Sequence, residues 1–173
     1  MIISTCMTMG TTWSYSPNDK YKSTHQLLEL LVKIVSRGGN FLLNVGPDAR
    51  GDWDPVVYQR LQEIGAWMAI NAEAIYASKP VAPYSANNIY YMQSKDGKKL
   101  YACWLSDKET VALPASIQIP VNGSGTIKKV TILGAQNQKI KWNYNNSQVT
   151  LKVPATLQQE GSLKHSVVIK LER

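Results

Sequence analysis

The sequence predicts an α/β unit followed by an all-β domain, that is, the closing part of a parallel-stranded barrel joined to an antiparallel β-sandwich. Three observations carry this. The run Arg37-Gly38-Gly39-Asn40-Phe41-Leu42-Leu43-Asn44-Val45-Gly46-Pro47 reads as helix end, buried strand and turn, with a helical pattern on each side. A continuous apolar strand between helices belongs to a parallel sheet covered on both faces. The segment Ala77-Ser78-Lys79-Pro80-Val81-Ala82-Pro83 then breaks the pattern. Beyond it come short β-type runs at the regular spacing of a sandwich. The α/β unit is too short to hold more than the end of a barrel, so the other strands are expected to lie outside this sequence.

Ile2 and Ile3 are expected to finish a strand, and Thr11–Asp19 is a loop dense in turn formers and aromatics. Ser23 offers a helix N-cap, and Gln26 three residues on completes a capping box. Leu27, Leu28, Leu30, Leu31, Ile34 and Val35 give a wide apolar face at helical spacing, and Gly38-Gly39 end the helix. The strand spans Asn40–Val45. After a loop at residues 48–53, Asp54 is placed as N-cap and Pro55 at the first helical position. Val57, Leu61, Ile64 and Met68 form one buried stripe of this second helix, which is expected to end between Asn71 and Ala74.

Pro80 and Pro83 preclude a helix and suit a linker, which divides the chain into residues 1–79 and 80–173. The predicted strands of the second part are Ile89–Gln93, Lys99–Leu105, Ser116–Pro120, Lys128–Leu133, Ile140–Tyr144, Gln148–Val153 and Ser166–Leu171. Asp96-Gly97 marks a hairpin between the first two, and Asn145-Asn146 separates two others. Val167, Ile169 and Leu171 alternate with Ser166 and Lys170 as in a half-buried strand.

With 173 residues, 44% of them hydrophobic and 18% charged, the composition is that of a globular protein. The net charge of +7 is spread out, with only the pairs Lys98-Lys99 and Lys128-Lys129, so no nucleic-acid partner is expected. No apolar stretch is long enough to cross a bilayer, so no membrane partner is expected either. Cys6 and Cys103 lack metal-ligand spacing and fall in different parts; each is expected to be a small buried hydrophobe.

At this point the motifs point to a family. Trp13-Ser14-Tyr15, Gly38 to Pro47, Ile64-Gly65-Ala66-Trp67-Met68, Asn71-Ala72-Glu73-Ala74-Ile75-Tyr76 and Lys79-Pro80, in this order, resemble the C-terminal part of the retaining α-L-fucosidases. The likeness is strong over the first 80 or so residues and looser beyond, through Asp96 to Tyr101 and Val130 to Gly134. Ala72 and Ser14 stand where the family usually or often has Gly. The resemblance implies a (β/α)8-like catalytic barrel joined to a C-terminal β-sandwich. It implies hydrolysis of terminal α-L-fucosides with retention, a fucosylated glycan as substrate, and no cofactor or metal. It leaves the compartment open, since members are commonly secreted, periplasmic or lysosomal.

Retaining hydrolysis uses an Asp nucleophile and a Glu acid/base about 5–5.5 Å apart. By resemblance the nucleophile lies upstream of the segments present here. The acid/base Glu is also upstream or, in some members, directly before the segment matching Thr5-Cys6, where this chain has Ser4. A serine cannot act as general acid near neutral pH. No catalytic residue is therefore assigned, and the chain alone is expected to be inactive. Turn chemistry explains Asp48 and Asp52. Glu29, Glu63 and Glu73 read as solvated helix charges, and His25 and His165 lack partners at the spacing of a metal site or a triad. Trp13 is the one substrate-binding candidate: the family places an aromatic here against the apolar C6 edge of fucose, and the alternative is that it closes the barrel end. Asn40 and Asn44, flanking the strand, are expected to be hydrogen-bonded scaffold groups, and Tyr15 a packing residue. Uncovered strand edges and helix faces would require the rest of the barrel as a partner, or self-association. The rival reading is a non-catalytic carbohydrate-binding or structural sandwich, with Tyr90, Tyr91, Tyr101, Trp104 or Trp142 as stacking surface, although alternation puts several of these rings in a core.

Overall fold

The structure is a computed structural model that describes residues 3–106, 112–121, 126–159, 163 and 165–173. Strand β1 (Ile3–Thr8) pairs in parallel with β2 (Gly39–Asn44), from Ile3 opposite Gly39 to Thr8 opposite Asn44. The opening strand is thus longer than expected; Ile2 lies outside the described residues. Helix α1 (Thr24–Val35) makes the crossover between them, and α2 (Pro55–Ile75) follows β2.

The expected capping box starts α1: the Ser23 hydroxyl accepts from the Gln26 N–H at 3.3 Å, and Gln26 Oε1 accepts from the Ser23 N–H at 2.9 Å. At its far end Gly38 takes a φ of 82°, the left-handed region that favours glycine. Asp54 precedes α2 as expected but makes no side-chain cap. Its Oδ2 accepts instead from the Tyr21 hydroxyl at 2.9 Å, and Pro55 at the first position removes one donor a cap would serve.

The β1–β2 sheet has one covered face within this chain. Leu43 and Val45 pack with buried Met9, Leu27 and Val57 from the loop and helices. On the opposite face Leu42 is 59% exposed, and Cys6, its register partner, is exposed as well. Cys6 is therefore not the buried hydrophobe the sequence suggested, whereas Cys103 is fully buried, and burial pushes its thiol pKa up to about 12.

The second part holds two sheets. One is five-stranded, in the order β3 (Ser78–Ala86), β4 (Ile89–Ser94), β5 (Lys99–Leu105), β10 (Ser166–Glu172), β7 (Lys129–Ile132). The other is three-stranded, in the order β6 (Ser116–Pro120), β9 (Gln148–Lys152), β8 (Lys141–Asn145). All pairings in both are antiparallel. A single turn, α3 (Ala155–Gln158), follows β9.

The segment expected as a linker is strand β3. Its prolines are tolerated because β3 is an edge strand, and its pairing with β4 is interrupted between Pro80 and Ser85. The turn after it is built on Asn87 and Asn88, with φ of 49° and 61°, and the β8–β9 turn centres on Asn146 and Ser147, with φ of 49° and 58°. Positive φ at both central residues matches the right-handed twist of a hairpin.

The five-stranded sheet is covered on both faces. Leu100 and Ala102 of β5, with Val167, Ile169 and Leu171 of β10, join Ile117, Ile119, Val149 and Leu151 in the sandwich core. Tyr101, Cys103 and Leu105, with Val168, face Leu28, Val32, Trp67 and Ala74 of the two helices. This corrects the half-buried reading of β10, since Ser166 and Val168 are buried too. It also corrects Glu73. Its Oε1 accepts from Lys170 Nζ at 2.9 Å and its Oε2 from the Tyr101 hydroxyl at 3.1 Å, with Lys99 Nζ at 3.8 Å. Burial raises the pKa of this carboxyl, but the hydrogen bond and charge of Lys170, then Tyr101 and Lys99, outweigh it and hold the group below its ordinary value.

Candidate functional site

In a parallel barrel, reacting groups gather where the loops leave the C-terminal ends of the strands. In this chain those loops are residues 9–22 after β1 and 45–54 after β2.

The first loop is tied into a fixed shape. At its neck the Lys22 N–H donates to the Met9 carbonyl at 2.9 Å, and Lys22 Nζ donates to the carbonyls of Thr8 and Gly10 at 2.8 and 3.1 Å. Asp19 closes the interior, accepting from the Thr11 N–H, the Thr11 hydroxyl and the Lys20 N–H. The Thr11 hydroxyl is the largest of the causes that hold its carboxyl below the usual range. Gly10 leaves room for this, since a Cβ there would lie 1.9 Å from Asp19 Oδ2.

Trp13 sits at the outer bend and is 58% exposed. Its backbone carbonyl accepts from Asn44 Nδ2 at 2.9 Å, so the last residue of β2 positions the loop of β1. Asn44 thus has the scaffold role expected of it, whereas Asn40 is exposed. The two loops also touch directly: a Cβ on Gly46 would lie 2.4 Å from the Tyr15 nitrogen and 2.6 Å from the Ser14 carbonyl carbon. Only glycine permits that approach. Tyr15 keeps 36% of its surface exposed.

The second loop is organised by two carboxylates. Asp48 Oδ1 accepts from the N–H groups of Arg50 and Asp52 at 2.8 and 3.0 Å, and Oδ2 accepts from Arg50 Nε and Nη2 at 3.2 and 3.0 Å. Asp52 Oδ1 accepts from the Trp53 N–H at 2.8 Å and from the Tyr58 hydroxyl at 2.5 Å. Backbone hydrogen bonds lower the pKa of Asp48 most, and the Tyr58 hydroxyl lowers that of Asp52 most. Both groups are therefore ionised turn-formers, the opposite of a general acid, which needs its pKa raised. Glu63 is likewise held low, first by the Thr24 hydroxyl, with Gln59 and Arg60 adding to it.

Three residues near this face escaped the sequence reading. Tyr21, whose pKa burial and then Asp54 push to about 12, braces the base of the first loop. Tyr58, 50% exposed, packs its ring at 47° to Trp53 with centroids 5.5 Å apart. Arg50 is anchored by Asp48 while its side chain stays 86% exposed. The aromatic-rich loop and the Pro at the start of α2 were the only hints in the sequence. Away from this face, Tyr91 and Tyr101 are buried and not available for stacking, and Tyr90, Trp104 and Trp142 are partly buried against the core clusters. Among the described residues no three His, Cys, Asp or Glu side chains are grouped to hold a metal ion. His25 is buried in the first turn of α1, three residues past the first loop.

Comparison with known proteins agrees with this architecture. The family model described as Alpha-L-fucosidase matches residues 2–73, and that described as Alpha-L-fucosidase C-terminal domain matches residues 83–172. The tissue alpha-L-fucosidase of Bos taurus is 44% identical over 121 residues, which are 70% of this chain and 25% of that protein. The structure of alpha-L-fucosidase isoenzyme 1 from Paenibacillus thiaminolyticus superposes with a TM-score of 0.76 at 29% identity, covering 98% of this chain and 39% of that one. The Thermotoga maritima alpha-fucosidase in complex with fucose shares the fold, with a TM-score of 0.79 at 22% identity over 97% of this chain and 39% of that one. This chain thus spans about a quarter of the length of the bovine relative and about two fifths of these solved structures. Two matched family regions in succession, a βα unit at a barrel edge and a β-sandwich behind it, place the chain in the alpha-L-fucosidase family.

Proposed function

We propose that this chain supplies the closing βα part of the catalytic barrel and the C-terminal sandwich of an enzyme that hydrolyses terminal α-L-fucosides with retention, and that by itself it does not turn over substrate. The observation that carries the second clause is the state of the carboxylates. Asp19, Asp48 and Asp52, which stand on the reaction face, are committed to turn hydrogen bonds and shifted toward ionisation, so none suits the acid step. The match to the Alpha-L-fucosidase family model and the 44% identity to the bovine tissue alpha-L-fucosidase support a fucoside as substrate class. Within this reading residues 1–79 are the barrel part and 80–173 the sandwich, with the change falling after the first two residues of β3. Trp13 is the wall against which the C6 edge of fucose rests. The uncovered face at Leu42 and Cys6 is closed by the remaining barrel strands.

The test is an assay with 4-nitrophenyl α-L-fucoside. The chain alone should give no turnover above background. Mixed with a polypeptide carrying the rest of the barrel, it should give activity, and the first-formed fucose, followed by NMR, should keep the α configuration. Turnover by the chain alone would contradict the inactivity; a β product would contradict retention.

A further inference from the structure

We infer that Tyr58 and Arg50 form the contact surface for the sugar to which fucose is attached, an inference that rests on the fucosidase reading above. The two loops at the strand ends meet at Gly46, so the second continues the rim on which Trp13 stands. Asp48 most, then Asp52 and last Tyr15 raise the Arg50 pKa, in keeping with Tyr15 and Arg50 both lying near this contact. Along it the second loop presents Arg50, with 86% of its side chain exposed, and the first turn of α2 presents Tyr58, with half its surface exposed.

Neither group is a loose surface side chain. The Tyr58 hydroxyl is spent on Asp52 and one part of its ring on Trp53. What it offers outward is an apolar face held in place, which suits the carbon-hydrogen face of a pyranose. Arg50 uses Nε and Nη2 on Asp48, so its remaining N–H donors point away from that anchor. They suit the ring oxygen or hydroxyls of the same sugar. Preorganisation of this kind lowers the entropy lost on binding. Val57, next to Tyr58, is fully buried, so the helix start that carries the ring is itself anchored in the core. A fucoside lying with fucose against Trp13 would extend its second sugar along this rim.

The experiment compares two substrates in the reconstituted enzyme. α-L-Fucosyl fluoride has no second sugar, whereas a fucosyl-galactose disaccharide does. Tyr58→Ala should lower kcat/KM for the disaccharide about tenfold, the effect of losing one buried ring face. It should leave the fluoride within about twofold, and Tyr58→Phe should retain most of the disaccharide rate because the ring remains. Arg50→Met should act in the same selective direction. Equal losses on both substrates, or no loss on either, would overturn the assignment. If the wild-type reconstituted enzyme leaves the fluoride untouched, the fucosidase reading itself has failed. The contact surface is then judged separately, by titrating methyl β-galactoside into the whole chain and following the Tyr58 ring resonances by NMR. Saturable shifts lost in Tyr58→Ala would uphold the surface, and their absence would overturn it.

Discussion

Strands β5 and β2 are both apolar runs, yet the chain treats them in opposite ways. Every residue of β5 from Leu100 to Cys103 is buried, because one face meets the three-stranded sheet and the other meets α1 and α2. In β2, Leu43 is packed against the first loop and the helices while Leu42 beside it is 59% exposed. The sandwich thus closes the core between its two sheets from its own segments and has its other face covered by α1 and α2, whereas the sheet of the βα unit has one face covered and one open. The lesson is that an apolar run shows that a strand expects cover on both faces; it does not show who provides it.

Hydrogen exchange should reveal this contrast most strongly. Amides of β1 and β2, in a two-stranded sheet, should exchange at least about 100-fold faster than those of β5 and β10. Equal protection would mean that the open face of the βα sheet costs it no stability relative to the doubly covered strands.

The next largest effect concerns the closed core. Leu151 is fully buried between the two sheets, so Leu151→Ala should cost about 2–5 kcal/mol in denaturant unfolding. Gly46→Ala tests the open side, where the added methyl must push backbone apart; a loss of about 1–3 kcal/mol is expected, with faster proteolysis in the first loop.

Glu73 joins the two parts, and its replacement should cost less. A third of its side chain remains exposed, which screens its ion pairs, so Glu73→Gln should lose about 1 kcal/mol. The pH dependence follows from the direction of its shift. With the folded pKa depressed, its contribution is complete above the unfolded value of about 4.3 and is lost as pH falls through the lower folded one. Wild type and Glu73→Gln should therefore differ near neutral pH and converge in strong acid. Smallest of all, Trp13→Ala should move stability by no more than about 0.5 kcal/mol, because its ring projects outward. In the reconstituted enzyme it should still weaken fucoside turnover, measured as kcat/KM; a large stability loss would instead favour the role of closing the barrel end.

Much of the fold was legible because local rules act on neighbours. The capping box at Ser23 and Gln26, the Pro at α2, and the bounds of β5 and β6 follow from groups a few residues apart. Reading Pro80 and Pro83 as a linker failed because proline excludes helix but not an edge strand, and edge position is a property of the whole sheet. Of the proposed sugar-contact residues, the sequence pointed to Trp13 alone. Tyr58 and Arg50 depend on a contact between Gly46 and Tyr15 across 31 residues, and no local pattern encodes such a meeting.

The amino-acid order alone determined two successive units, the two long helices, the strands β2 and β4 to β10, and the carboxylates that are turn-formers, since hydrophobic period, caps and turn residues operate within a few positions. The tertiary structure alone decided that Glu73 binds Lys170 rather than water, that Cys6 is exposed while Cys103 is sealed, and that β10 is buried on both faces. Those outcomes depend on which distant surface arrives to exclude solvent, and burial is a property of the assembled layers, not of any one segment.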